Sequence, residues 1–355
     1  MTAADNYFMQ WTRRYPTEFW NDSAEPAEIR RAATWGAVGV TSNPVLMPRA
    51  ARTSALRWDV EIAACKRQGI ADPEEIAWHL VRGIALEDAA IMAPVYYRTQ
   101  GHTGRLCVQV NPNNHADAEA MIAQARTISS WAPNLLIKLP VTAAGLAAME
   151  VLTAEGVSTV GTLSYGVPQV IGVAEAFRRG LAQAQQWGVD TSRVRNYAVI
   201  MTGRLDDHLR DVNREQGLGI TEDLINRAGV AVTQKALRIF RERMYESVIL
   251  LASFRAYHDL GDFLGGNYVV SVPPELQERI IAQGTPLRAD VDRPLPQDVI
   301  EELQTRLPDF CRAYDEDGMT PQEFAGFGPV VKTLRQFIGG YQDLISYVRE
   351  RLAAF

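Results

Sequence analysis

Lys138 is the residue in this chain best suited to covalent chemistry. Only four lysines, Lys66, Lys138, Lys235 and Lys332, stand among the 36 lysines and arginines of the 355 residues. Lys138 lies in Asn134-Leu-Leu-Ile-Lys-Leu-Pro140, between large apolar side chains. An ammonium withdrawn from water loses hydration, so its pKa falls. A neutral amine is a nucleophile for carbonyl carbon. A lysine that snorkels to a rim or pairs with a carboxylate would fit the same spacing. Asp22, at the end of another apolar run, would pair with Lys138 or shuttle protons to a substrate.

Further polar residues sit where apolar runs end. Thr41, Ser42 and Asn43 end one run; Gln109 and Asn111 end a second; Thr162 closes a third. Arg204, Ser253 and Arg255 follow two others, and together they suggest an anion clamp. Two guanidiniums and a hydroxyl near a helix start suit a phosphate. Taken singly, each arginine reads as a surface ion pair. None of the histidines His79, His102, His115, His208 and His258 falls in HExxH spacing. His115 and Glu119 are four residues apart, but no required metal and no cofactor are expected. Gly265-Gly266 and Gly339-Gly340 read as turns or helix ends.

Short apolar runs alternate with helical stretches, the pattern of βα units on a parallel sheet. Strands are expected at Phe19–Asp22, Val38–Thr41, Arg105–Val110, Leu135–Leu139, Val157–Leu163, Tyr197–Met201, Val248–Ala252 and Tyr268–Val272. Helices are expected at Glu25–Trp35, Ala116–Ala132, Ala143–Ala154, Val167–Gln186, Asp206–Asn213, Glu222–Met244 and Phe254–Leu264. Arg49–Arg98 looks like two or three more helices inserted after the second strand. Eight units fit an α/β (β/α)₈ TIM barrel. An open doubly wound sheet would carry GxGxxG after its first strand, and that turn is absent. The reading is one domain over 1–355, with a barrel core of about 17–273. The helical extension of about 274–355, with helices near Pro296–Arg306 and Val330–Arg351, is expected to pack over the barrel mouth. In such a barrel, chemistry sits at the carboxyl ends of the strands.

A hydrophobic fraction of 47% permits a large core, and a net charge of −6 gives no reason to expect nucleic acid or an anionic membrane as partner. The N-terminus lacks the basic and apolar regions of a signal peptide, and no run is long enough to span a bilayer. Cys65, Cys107 and Cys311 form no CxxC pair and read as free thiols in a reducing cytoplasm.

Five blocks, in order, give the sequence its resemblance to a known family. They are Trp20-Asn-Asp22, Gly39-Val-Thr-Ser-Asn-Pro44, Leu136-Ile-Lys-Leu-Pro-Val-Thr-Ala-Ala-Gly145, Thr202-Gly-Arg-Leu-Asp206 and Ala252-Ser-Phe-Arg255. Over about 17–273 the chain resembles the transaldolase family of class I aldolases, including its short fructose-6-phosphate aldolase relatives. The resemblance implies that Lys138 forms an imine with a ketose and that Asp22 shuttles protons. It implies that Ser42 and Asn43 bind the donor, and that Arg204, Ser253 and Arg255 hold a terminal phosphate or another anionic group. Gln109 stands where transaldolases carry a glutamate that works with a threonine, here Thr162, to activate a water. An amide positions a water but cannot take its proton. Met201 stands where the relatives have an aromatic residue in the donor site, and Val160 replaces a hydroxyl-binding asparagine. The implied activity is transfer of a dihydroxyacetone unit between sugar phosphates. Aldol cleavage without transfer, or sugar-phosphate binding without catalysis, are the alternatives. The family often forms homo-oligomers.

Overall fold

The computed structural model describes residues 6–254, 258–284 and 286–354. Strands β1 (Glu18–Asp22), β2 (Gly39–Thr41), β3 (Arg105–Gln109), β4 (Leu135–Pro140), β5 (Thr159–Thr162), β6 (Asn196–Met201), β7 (Val248–Ala252) and β8 (Val269–Val272) pair in parallel in chain order. β8 pairs back onto β1, which closes the (β/α)₈ barrel. All eight expected strands are present. The fifth is shorter than expected, because Val157 donates its N–H to Leu152 O and so belongs to the preceding turn.

Helices alternate with the strands. α1 (Tyr7–Arg14) precedes β1 and α2 (Pro26–Thr34) follows it. The insert after β2 is three helices, α3 (Leu46–Thr53), α4 (Ala55–Arg67) and α5 (Pro73–Arg98). α6 (Ala118–Ser129), α7 (Ala143–Ala154) and α8 (Val167–Trp187) follow β3, β4 and β5. α9 (Thr202–Gln216), α10 (Glu222–Ile225) and α11 (Ala228–Glu242) follow β6, and α12 (His258–Gly261) follows β7. The extension holds α13 (Pro274–Gln283), α14 (Gln297–Arg306), α15 (Pro308–Tyr314) and α16 (Gly328–Ala354). The single helix expected over Glu222–Met244 is two, because α11 starts afresh against α9. Asp206 Oδ1 accepts the Gly229 N–H, one of the donors a helix start leaves unpaired, at 2.9 Å. α1, α13 and α15 were not expected. Of the helix expected at Phe254–Leu264, residues 255–257 lie outside the described residues.

Contacts between non-adjacent strands fix which side chains point inward. Trp20 on β1 meets Tyr197 on β6, with ring centroids 4.9 Å apart. Thr41 on β2 and Ser271 on β8 share a hydrogen bond of 2.6 Å. Strand alternation and the register then place Asp22, Cys107, Gln109, Lys138, Thr162 and Met201 on the same inner face. Trp20 owes its place to Gly39: a Cβ at that position would lie 2.3 Å from the indole. Below it, buried Arg105 donates to the carbonyls of Gly101 and Arg193 and to Ser158 Oγ, plugging the amino end of the barrel.

α16 packs on α3, α4, α5 and α9 and on the loops that follow β2 and β3. Gly339-Gly340 sits inside this helix, not at a turn as the sequence suggested. The reason is close approach. A Cβ on Gly340 would lie 2.7 Å from Pro44 O and 2.8 Å from Val45 Cα, so the helix backbone rests directly on the loop after β2. Tyr341, the next residue, donates to Glu74 Oε1 at 2.6 Å and accepts from Trp78 Nε1 at 2.9 Å.

One buried charge site has no evident part in that architecture. Asp88 on α5 is 1% exposed, and neither carboxyl oxygen has a hydrogen-bond partner among the described residues. Burial raises its pKa well above the usual carboxylate range, Glu87 adds to the shift, and Arg30 and Arg57 oppose it. The native state therefore holds a proton that the unfolded chain releases near pH 4. Stability should fall as pH rises from there toward the raised native value. Asp88→Ala should abolish that slope and raise stability at pH 7 to 8 by about 1–2 kcal/mol, the scale of an unsatisfied buried polar group. Urea unfolding at several pH values measures it; an unchanged slope would show that Asp88 is ionised in the native state.

Candidate active site

The inner face changes character toward the carboxyl end. Above the Trp20–Tyr197 layer, apolar residues give way to Asp22, Thr41, Gln109, Lys138, Thr162 and Ser271. β4 carries Lys138 inward at the level of Gln109 on β3 and Val160 on β5. Its side chain is 6% exposed. Nζ donates to Ser42 O at 2.9 Å, so the amine crosses the barrel interior toward the end of β2. It does not snorkel to the rim. Burial pulls its pKa below the ordinary lysine range; the fields of Cys107 and Asp22 oppose the shift, and Arg204 reinforces it.

Asp22 ends β1 and is half-buried. Thr41 Oγ1 donates to its Oδ1 at 2.6 Å. Burial raises the pKa of this carboxyl, while Lys138, the Thr41 hydrogen bond and Arg204 pull it down and Glu275 pushes it up. Desolvation thus drives both members of the pair toward their uncharged forms, amine and carboxylic acid, against their mutual attraction.

Gln109 and Thr162 flank Lys138 on neighbouring strands. Both amide atoms of Gln109 and the Thr162 hydroxyl are buried with no hydrogen-bond partner among the described residues. Each such group costs about 1–3 kcal/mol. Three orphaned polar atoms beside a buried amine mark a place built to meet a polar ligand. Backbone strain collects at the same end. Leu163, just after β5, has φ +60°, and Ser253, just after β7, has φ +67°. Non-glycine residues held in the left-handed region cost about 1–3 kcal/mol each and cluster at functional sites.

The remaining expected residues are placed as follows. The Ser42 hydroxyl donates to Cys107 O at 2.7 Å, and the Ser42 carbonyl accepts from Lys138 Nζ. Asn43 Oδ1 accepts from Val45 N at 3.0 Å, which fixes the loop after β2. Met201 is buried at the end of β6. Ser253 is half-buried just after β7, one residue beyond Ala252, the register partner of Met201, and Arg255 lies outside the described residues. Arg204, in the first turn of α9, donates from Nη1 to Thr333 Oγ1 at 3.3 Å and to Gln336 Oε1, both on α16. Its guanidinium carbon lies 6.0 Å from the centroid of the Phe337 ring. His115, weighed as a metal ligand, places Nδ1 3.2 Å from Pro112 O in a local turn.

Some residues of the site were not singled out from the sequence. Ser271 was detectable, since it is a polar residue at an inward position of Val269-Val-Ser-Val. Thr333, Gln336 and Tyr341 carried no such signal, because on a helix of this length they read as part of an ordinary amphipathic pattern.

The amine, carboxyl and amide on the inner face stand at the carboxyl ends of the strands of a closed eight-stranded barrel, the place where (β/α)₈ barrel enzymes carry their chemistry. The chain belongs to the family described as Transaldolase/Fructose-6-phosphate aldolase, whose model matches residues 19–324. It is 31% identical over 229 residues to a transaldolase of Thermobifida fusca, covering 63% of this chain and 60% of that protein. It is 32% identical over 219 residues to a transaldolase of Mycobacterium ulcerans, covering 59% and 56%. A transaldolase of Thiobacillus denitrificans is 27% identical over 340 residues, covering 88% of this chain and 90% of that protein. The chain thus spans less than two thirds of the length of the first two relatives. No helix among the described residues is long and apolar enough to cross a membrane.

Proposed function

We propose that the protein is a transaldolase-type enzyme that moves a dihydroxyacetone unit between sugar phosphates through an imine on Lys138. The observation that carries this reading is the buried Lys138 amine. It is held inside the barrel by Ser42 O, with its pKa lowered, beside a carboxyl whose pKa is raised.

The chemistry follows from those groups. The neutral amine adds to the C2 carbonyl of a ketose, and loss of water gives the imine. Asp22 in its ionised form takes the C4 hydroxyl proton as the C3–C4 bond breaks. The electron pair flows into the iminium to give an enamine, and an aldehyde leaves. The enamine then attacks a second aldehyde, and Asp22 returns the proton to the new hydroxyl. Gln109 and Thr162 orient the water lost and regained in forming and cleaving the imine. With an amide at position 109, the proton transfers of imine formation fall to that water, and Asp22 carries those at the C4 hydroxyl. Asn43, Ser253 and Met201 border the donor, and Arg204 with Arg255 holds the phosphate. The extension at 274–355 belongs to the same domain, and α16 shields the enamine from water, which favours transfer over hydrolysis. A cytoplasmic location belongs to the same reading, with Cys65, Cys107 and Cys311 unpaired.

Imine trapping tests it. The protein is incubated with fructose 6-phosphate or dihydroxyacetone, reduced with borohydride and weighed intact. One adduct per chain, mapped to the peptide holding Lys138, is expected. No adduct with a panel of ketoses would leave only a sugar-phosphate binding role.

A further inference from the structure

Arg204 is not held by the barrel alone. Both of its hydrogen bonds described above go to α16, to buried Thr333 and to exposed Gln336 one turn later. A guanidinium only donates, so the amide oxygen of Gln336 must face Arg204. Its amide nitrogen then points along the other arm, as a neutral donor beside the cation. Arg204, Lys332, Thr333 and Gln336 line one cavity between α9 and α16. The two other cations there are Arg210, paired with Asp207 and Glu222, and Lys332, paired with Asp211. Arg204 is also near enough to shift the pKa of both Asp22 and Lys138. Wherever α16 sets this guanidinium, it sets the distance from an anion to the reacting carbon. The helix is seated independently of Arg204, through Gly340 against Pro44 and through Tyr341 on Glu74.

We infer that Gln336 is a specificity-determining residue: from α16 it positions Arg204 and adds an amide donor to the phosphate monoester of the substrate. The inference rests on the proposed imine chemistry for its kinetic readout but not for its binding readout. Because Gln336 is exposed, its substitution leaves the core untouched.

Two variants separate its roles. Gln336→Met keeps the length and removes the amide. Gln336→Glu places a carboxylate against Arg204 that competes with the phosphate. KM for fructose 6-phosphate should rise about tenfold in the first and about a hundredfold in the second, on the scale of hydrogen bonds to charged groups. kcat should stay within about threefold. Borohydride trapping with phosphate-free dihydroxyacetone should proceed at the wild-type rate in both. Binding of inorganic phosphate, measured by calorimetry on the full chain, should weaken in the same order. An unchanged phosphate affinity in Gln336→Glu overturns the inference, as does a KM increase that is equal for phosphorylated and unphosphorylated ketose. If the wild-type protein traps no ketose, the enzymatic reading fails, while the phosphate titration still decides the role of Gln336.

Discussion

Replacement of Lys138 by methionine is expected to lower turnover by about 10⁴-fold or more, or ~5 kcal/mol of transition-state stabilisation, and to abolish the trapped adduct. No other lysine can substitute. Lys66 donates to Leu352 O at the surface, while Lys235 and Lys332 pair with Asp315 and Asp211. The same substitution should not harm the fold. The native pKa of Lys138 is lowered, so the unfolded chain binds more protons than the native one between that value and the usual lysine range. Stability contributed at this position therefore rises with pH across that window, and below it the native state bears a buried ammonium. Methionine removes the burden, and the melting temperature at pH 7 should hold or rise. Coupled loss of activity and stability would show Lys138 to be a structural residue. Imine formation in the wild-type protein should likewise speed up as pH rises through the lowered pKa.

Asp22→Asn is expected to separate the two halves of the cycle. Carbon–carbon cleavage should slow by about 10²-fold or more, because the amide accepts no proton. Imine formation should persist, since removing the carboxylate takes away a charge that favours the ammonium. A stopped reaction would then show adduct at wild-type level with aldehyde release slowed by that factor. Wild-type turnover in this variant would remove Asp22 from the mechanism. So would a loss of the adduct itself, which would make Asp22 a partner that only orients the amine.

Much of this site was legible in the sequence, because barrel strands are short and their polar residues conspicuous. A lysine within Leu-Leu-Ile-Lys-Leu, an aspartate after Phe-Trp-Asn and a glutamine after Leu-Cys-Val each break an apolar run. Strand alternation then assigns them a face. The mouth was harder to read. Main-chain carbonyls have no sequence signature, so the Ser42 carbonyl that meets the amine could not be read from residue type. The strain at Leu163 and Ser253 depends on backbone angles that neither residue type predicts. Gly339-Gly340 looked like a break because glycine disfavours helices. Only the proximity of Pro44, remote in sequence, explains why the helix continues through it.

That last contact sets a dimension. A helix seated backbone to backbone has no side chain at the point of support that could turn aside and let it settle differently. The gap between α16 and the loop after β2 is therefore a fixed clearance, gauged by the absence of one methyl group, and any side chain at position 340 would lift the helix and with it Thr333 and Gln336, the partners of Arg204.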